Sequence, residues 1–504
     1  MLCLLLAPVC AAAAEWTLLP LPRATRSSGA SPAEDVLLDA AHLDVDGRFR
    51  PAAAEIQEPL IPPAVFQQML DESLRVRGLR LETRPQAGLL LARGEAAALD
   101  AARALSVEID RQADAFAIQL DVVLRRDGAP AASWSRRVRA GADVFLGART
   151  ARPFLAGFDI QVAQDAGQAA PRLGTALAGT GLHVRAARVG GGARVFLDGL
   201  FDSAEIQSIE RFDPQTPDLG ILEQPRIAST QIAFAGAVES GGTLEVRLAS
   251  AGPVAGELVL QIRASTSPDA SSADDAWMLF DLSFAAAPPR ALLPVDPGLG
   301  LDSPARESAA GAALLLPAAL AALLEPDRAS DPRAARSPVH WSGSVLCLPR
   351  SDTARIAAAR ALLGALEHER AAAQRVTLAC GPLQASFPVA PGRPARFTAG
   401  VERPYLSDYG LEVAPQVWMP APRVERAFDG LALDLALEDG VLAVWAWRAA
   451  TTEVVVLERD AAQMGRLELA RRARVAGAAR TAPGQEPARL FDEGPPLVVS
   501  SGAP

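Results

Sequence analysis

Apolar residues follow two rhythms along this chain, and each rhythm occurs twice. At Leu99, Ala102, Leu105 and Ile109 the steps are three and four, which lines one face of a helix; Ile356, Ala359, Leu363 and Leu366 repeat them. The spacing predicts helices near 95–111 and 352–369. Ser351 and Asp352 suit the N-cap of the second, where a side-chain oxygen accepts from a free amide of the first turn. Each helix follows a short apolar strand and a polar turn, in "GLLLARGEAAALD" from Gly88 and "SVLCLPRSDTARI" from Ser344. After each helix the rhythm becomes alternation, in "FAIQLDVVLRR" from Phe116 and "RVTLACG" from Arg375, the mark of a half-buried strand.

Further strands are predicted at "RVFLDGLFD" from Arg194, "TQIAFAGAVESGGTLEVRLAS" from Thr230, "GELVLQIRAS" from Gly256 and "WMLFDLSFA" from Trp277. Gly, Pro, Ser and Asp clusters separate them, as in antiparallel sheets. "VGGGAR" from Val189 and "ESGGT" from Glu239 read as hairpin turns rather than ligand loops, because no helix follows to offer amides to a phosphate. Two apolar stretches, "PPAVFQQMLDES" from Pro62 and "SAAGAALLLPAALAALLEPD" from Ser308, read as short packed helices. The second is broken by Pro317 and falls short of the roughly 20 apolar residues a membrane span needs, so no transmembrane helix is predicted.

The chain also repeats itself. "RPFLAGFDIQVAQ" from Arg152 returns as "RPYLSDYGLEVAP" from Arg403. Pro153 and Pro404, Val162 and Val413, Gly179 and Gly430, and Leu182 and Leu433 all keep a spacing of 251 (404 − 153), while the upstream "ARAL" recurs at 257 (359 − 102). A constant offset is the mark of a repeated unit. The expected fold class is α+β: two tandem copies of a small strand-helix-strand module leading into a mainly antiparallel β core. The Arg-Pro stretch reads as a turn into a core strand. The expected divisions are a signal peptide at 1–14, an N-terminal extension at 15–60, a first unit at 61–286, a Pro- and Gly-rich linker at 287–307, a second unit at 308–480 and a tail at 481–504, loose apart from "PLVVSS".

These segments carry a resemblance. "LLLARG", a helix ending in "ALSVEID", and "AIQLDVVL" resemble the last ring-building module of the secretins, the outer-membrane pore proteins of type II and type III secretion. The succession "FDIQVAQDAGQAAP", "GTGLHV", "VFLDGLFD", "QPRIASTQIAF" and "SGGTLEV" is similar to their core β-segments, with Gly181, Pro225 and Gly242 at the family's Gly and Pro positions. In the second copy Gly430 stands two residues out of register with Gly181. The family's Val-Pro and Leu-Gly gate segment is found in neither copy, and two cores on one chain differ from a pore subunit, which contributes one. The resemblance therefore implies a fold and an exported location more than a channel.

Composition agrees with an exported protein. "MLCLLLAPVCAAAAEW" is similar to a secretory signal peptide cleaved after Ala14, without the usual positive start; a buried N-terminal helix is the alternative. Half the residues are apolar, all 49 basic residues are arginine and the net charge is −10, so a nucleic-acid partner is not expected. Outside the signal only Cys347 and Cys380 remain, in the strands on either side of the second helix. A strand-helix-strand connection often returns the chain beside its start, so a disulfide and two free thiols both stand as readings.

Chemistry is sparse. His42, His183, His340 and His368 lie far apart and without metal-ligand spacing. "HLDVDGR" from His42 fails as a calcium loop, because Ala53 stands where the closing Glu belongs; a turn at Asp46-Gly47 fits better. "WSGS" at Trp341 is an incomplete nucleophile elbow. Trp445 and Trp447 share one strand face, read as core packing against the alternative of a binding surface. No catalytic, cofactor or metal residue is assigned. The expected function is a non-enzymatic, exported cell-envelope scaffold in the periplasm or outer membrane, with envelope or secretion-apparatus proteins, or its own copies, as partners. The alternatives are a secretin-type outer-membrane pore subunit and an exported carboxylate-based hydrolase.

Overall fold

Strict alternation over long stretches favours sheet, and a computed structural model of the chain is built mainly of antiparallel strands. It describes residues 17–25, 43–44, 60–86, 89–162, 167–213, 220–249, 256–267, 271–286 apart from 273, 340–370 apart from 343, 372–413, 418–457, 467–492 and 494–502. The proposed signal, the linker at 287–307, the apolar stretch at 308–327, His42 and the Asp46-Gly47 turn lie outside these residues.

In chain order the elements begin with β1 (Thr17–Pro20), β2 (Leu43–Asp44), α1 (Pro63–Val76), β3 (Leu81–Gln86), β4 (Leu89–Gly94), α2 (Ala96–Asp114), β5 (Ala117–Arg126) and β6 (Ala129–Arg139). They continue through β7 (Asp143–Val162), β8 (Gly167–Val189), β9 (Arg194–Phe212), β10 (Leu222–Glu239), β11 (Thr243–Ala249), β12 (Leu258–Thr266), β13 (Trp277–Asp281) and the single turn α3 (Ser283–Ala286). The second half holds β14 (His340–Ser342), β15 (Val345–Pro349), α4 (Thr353–Arg370), β16 (Gln374–Cys380), β17 (Leu383–Val389), β18 (Ala395–Val413), β19 (Trp418–Glu438), β20 (Val441–Leu457), β21 (Leu467–Thr481), β22 (Ala488–Leu490) and β23 (Leu497–Gly502). Two-residue Asp-Gly turns close β5–β6 and β19–β20. Asp127 and Gly128 take φ of 50° and 77°, and Asp439 and Gly440 take 50° and 76°, the left-handed values such hairpins require.

Two large sheets pack face to face. One runs β2-β8-β9-β10-β18-β19-β20-β21, with β7 on the outside of β8; the other runs β22-β23-β16-β17-β11-β12-β5-β6. Their inward residues form one core, with Val122, Leu260, Val376 and Leu497 from the second sheet meeting Val184, Leu197, Phe397 and Leu433 from the first. Two small sheets, β1-β4-β3 and β13-β15-β14, stand with the helices outside this sandwich.

This overturns the α+β reading. The strand before each helix and the strand after it lie in different sheets: β4 pairs with β1 and β3 while β5 joins the sandwich, and β15 pairs with β13 and β14 while β16 joins the sandwich. No strand-helix-strand module forms, and the fold is mainly β. The reason lies in burial on both sides of β15. Val345 and Cys347 pack with α1 and α2, whereas Leu346 and Leu348 pack with α4, so this strand is the middle layer of a separate cluster.

The Arg-Pro stretches are not turns. Arg152-Pro153 and Arg403-Pro404 lie inside the continuous strands β7 and β18. Just beyond them each hairpin carries a bulge, at Ala156 between Leu155 and Gly157, and at Ser407 between Leu406 and Asp408. The hairpins β9–β10 and β20–β21 bulge at Arg226/Ile227 and Arg471/Arg472, a spacing of 245 (471 − 226). In the tail "PLVVSS" stands apart as a strand, as expected, and Ala488–Leu490 joins it as a second one. Leu490, Leu497 and Val499 point into the core, and β22–β23 completes one end of the second sheet.

Candidate functional site

The place that organises the molecule is the seam between its halves. β10 pairs with β18 over Ile227–Ala233 and Arg396–Glu402, and β11 pairs with β17 at Arg247, Leu248 and Ala249. The seam is dry in the first sheet: Ala228, Ile232, Ala395 and Phe397 are buried. Proline bounds it. Pro404 follows the last seam pair on β18 and Pro225 flanks it on β10; neither has an amide to extend the ladder. Beyond that point β18 pairs only with β19, and β9 and β10 only with each other, so the hairpins leave the sheet as separate fingers.

Charged groups brace the seam. Arg393 approaches Asp198 of the other half at 3.5 Å and lies over the Phe196 ring. Its neighbour Arg396 grips Asp434, directly opposite on β19, with Nε and Nη2 donating to separate carboxylate oxygens at 2.6 and 2.8 Å. In the first half Arg149 reaches past Gly181 to Asp202. Burial pushes the Asp202 carboxyl up to about 7, against the pull of the guanidinium. Away from the sheets, Glu367 of α4 accepts the Gly190 amide at 2.7 Å and ties that helix to the β8–β9 turn, so "VGGGAR" is a turn as expected. Beside this contact lies a cavity of about 320 Å³, lined by Phe116, Arg188, Met278, Asp281 and Arg360 among others. Burial raises the Asp281 and Glu367 carboxyls there.

The joined edges also define what is left open. Among the described residues β7 pairs with β8 alone, β21 with β20 alone, β6 with β5 alone and β22 with β23 alone. By their spacing, β21 is to β20 what β10 is to β9, and β7 is to β8 what β18 is to β19. The open edges are thus the same kinds of strand as those that meet at the seam. Both sheets are open in the same sense, with β21–β22 at one end and β6–β7 at the other.

The residues singled out by sequence fall elsewhere. Cys347 is buried in β15 and Cys380 half-buried in β16; they lie in different sheets and both are free thiols, so the connection expected to bring them face to face does not arise. Burial pushes the Cys347 thiol up to about 12. His183 lies tilted against Phe145, 4.9 Å between ring centres, and His340 is buried beside Trp277. His368 is exposed on α4. Trp447 is buried against Ala432, with Trp445 packed beside it. Among the described residues no group of three or more His, Cys, Asp or Glu is arranged to hold a metal. Sequence reading missed the seam. Its available signals were Pro225 and Pro404 inside strands, and lone acids such as Asp202 and Asp434 within apolar runs.

No family model matches the chain, and no curated protein matches it. Among solved structures, the InvG secretin domain β-barrel from the Salmonella SPI-1 injectisome base is similar over 39% of this chain and 75% of its own, at 12% identity and a TM-score of 0.21. The chain therefore bears only a faint secretin-like resemblance.

Proposed function

We propose that the chain is a non-enzymatic, exported scaffold of the cell envelope, built of two repeated β units, that associates with its own copies by continuing both sheets from chain to chain. The observation that carries this reading is the seam. Half of the molecule already docks on the other half head to tail, through β10 on β18 and β11 on β17. A heterologous contact of this kind leaves the complementary edges open, and repetition generates a ring or a filament. In such an assembly β21 lies against β7 of the next chain and β22 against its β6. Long exposed edges are otherwise a hazard in a β protein.

The test is the particle size of the purified mature protein across concentration, by mass photometry and negative-stain electron microscopy. Rings or filaments support the reading. A monomer at every concentration, binding no envelope component, sinks it.

A second reading, a pore subunit, draws on hairpin length. β7, β8 and β19 have 20, 23 and 21 residues, whereas a strand needs about 9–11 to cross a bilayer. It requires detergent-resistant rings in outer-membrane fractions, and is abandoned if only soluble protein is recovered there.

A further inference from the structure

One contact within the molecule has an exposed counterpart on its surface. Where the fingers leave the first sheet, Phe212 of β9, Leu222 of β10 and Leu406 of β18 form a small buried cluster, and Phe158 of β7 and Val424 of β19 pack against it. This is a second point at which the halves meet, separate from the strand pairing. Leu406 and Val424 face each other across their hairpin at the bulge, and Leu406 is 2% exposed.

Each of the five positions has an equivalent at the spacing of its hairpin. In the first hairpin, 251 residues away, Leu406 corresponds to Leu155, Val424 to Leu173 and Phe158 to Tyr409. In the second, 245 residues away, Phe212 corresponds to Leu457 and Leu222 to Leu467. All five stay apolar or aromatic. Leu155 and Leu173 face each other across β7–β8 as Leu406 and Val424 do across β18–β19, also at the bulge. Among the described residues neither Leu155 nor Leu173 belongs to a hydrophobic cluster such as the one Phe158 packs against. Leu173 is 59% exposed, the most exposed large apolar side chain of the hairpins among the described residues.

We propose that Leu155 and Leu173 are the seat for the β18–β19 hairpin of a second copy of this chain, at its Tyr409 position. The partner is a second copy because the matching half of the cluster occurs in the chain's own second half, at the same spacing and with the same chemistry. The contact lies on the side of the molecule where β7 is open, so one neighbour can satisfy both the edge and the seat. The inference rests on the self-association proposed above and names the side chains that select the neighbour. An exposed leucine on a finger is then an unfilled half of an interface rather than a stray apolar residue.

The test uses full-length mature chains. Leu173→Asp places a charge in the seat without touching the core, and Val107→Asp, at another exposed apolar position on α2, is the control. Circular dichroism and melting should be unchanged in both variants. Mass photometry should show association weakened about tenfold or more in L173D alone. In a second arm, a Leu173→Cys chain is mixed with a Tyr409→Cys chain, both carrying Cys380→Ser, and a cross-linked pair should form under mild oxidation. If the parent protein assembles while L173D assembles equally well and no cross-link forms, this inference is overturned and the edge-to-edge reading stands. If the parent protein never assembles, both fall together.

Discussion

Arg149 on β7 reaches Asp202 on β9 across the intervening strand, with Nη2 2.5 and 2.6 Å from the two carboxylate oxygens. The reach is open only because position 181, on β8 between them, is glycine. A Cβ there would stand 2.7 Å from both the guanidinium and the carboxylate, and 2.9 Å from the Phe145 ring. Asp202 is fully buried, so an ion pair has been built into the wall of the sandwich two strands from the seam.

Burial of Asp202 should make stability fall as pH rises, with Arg149 pulling the other way. The Asp202 carboxyl lies at about 7 in the folded chain against 3.8 for a free carboxyl, so between these values the folded state holds a proton that the unfolded state releases. The contribution is full below about 4 and lost as pH passes about 7, at up to about 1.4 kcal/mol per pH unit. Asp281, Glu108 and Glu367, raised by burial, act in the same direction. Urea midpoints from pH 4.5 to 7.5 should decline in the parent protein, and less steeply in Asp202→Asn. A profile that the substitution leaves unchanged would contradict the assignment.

Gly181→Ala should cost about 1–3 kcal/mol, because the new methyl overpacks a buried ion pair rather than a flexible surface. Gly241→Ala is the comparison. It has open space around it and only an unfavourable φ of 83°, so about 1 kcal/mol is expected. Equal losses in chemical denaturation would show that backbone conformation, not the crossing side chain, sets the requirement at 181.

Breaking the Arg396–Asp434 pair from one side should be severe. Arg396→Ala strands a carboxylate that is 0% exposed, a loss of about 3–5 kcal/mol. The double replacement Arg396→Leu with Asp434→Leu removes both charges and should recover most of it. If the double variant is as unstable as the single one, the pair is adding more than compensation for its own burial.

Cys347 should resist labelling in the folded protein. Its thiol is buried and pushed up to about 12, whereas Cys380 is half-buried and raised less far, with Arg448 pulling it back down. Iodoacetamide at pH 8 without reductant should modify Cys380 first, and both cysteines once the chain is unfolded, as read by mass spectrometry. A disulfide-linked peptide pair would overturn the free-thiol assignment.

Much of the local structure was legible in residue order. The apolar stripe ending at Ile109 marked α2, found at 96–114 against the expected 95–111, and Ile356 and Ala359 marked α4, found at 353–370 against 352–369. The 251-residue repeat of the Arg-Pro stretch, read as a turn, falls instead inside two hairpins whose bulges at Ala156 and Ser407 keep that spacing. These features are short-range: a helical face, a turn residue or a bulge is specified by neighbours in sequence, and a repeated string repeats it.

Which strand lies beside which was decided only in three dimensions. Alternation in β4 and β5 says that each has a buried face but not what covers it, and the two belong to different sheets although their order suggests one module. Ala488–Leu490 is too short to signal a strand by itself; Leu497 and Val499 beside it hold it in place. The seam is the clearest case. Ile227–Ala233 and Arg396–Glu402 are separated by more than a hundred residues, and either could equally have met another apolar edge. Sequence determined the helices and the Asp-Gly hairpin turns, because backbone preference and side-chain period act locally. Tertiary structure decided how the strands join, because backbone hydrogen bonds between strands are chemically the same everywhere and only the shape and burial of both faces select the partner.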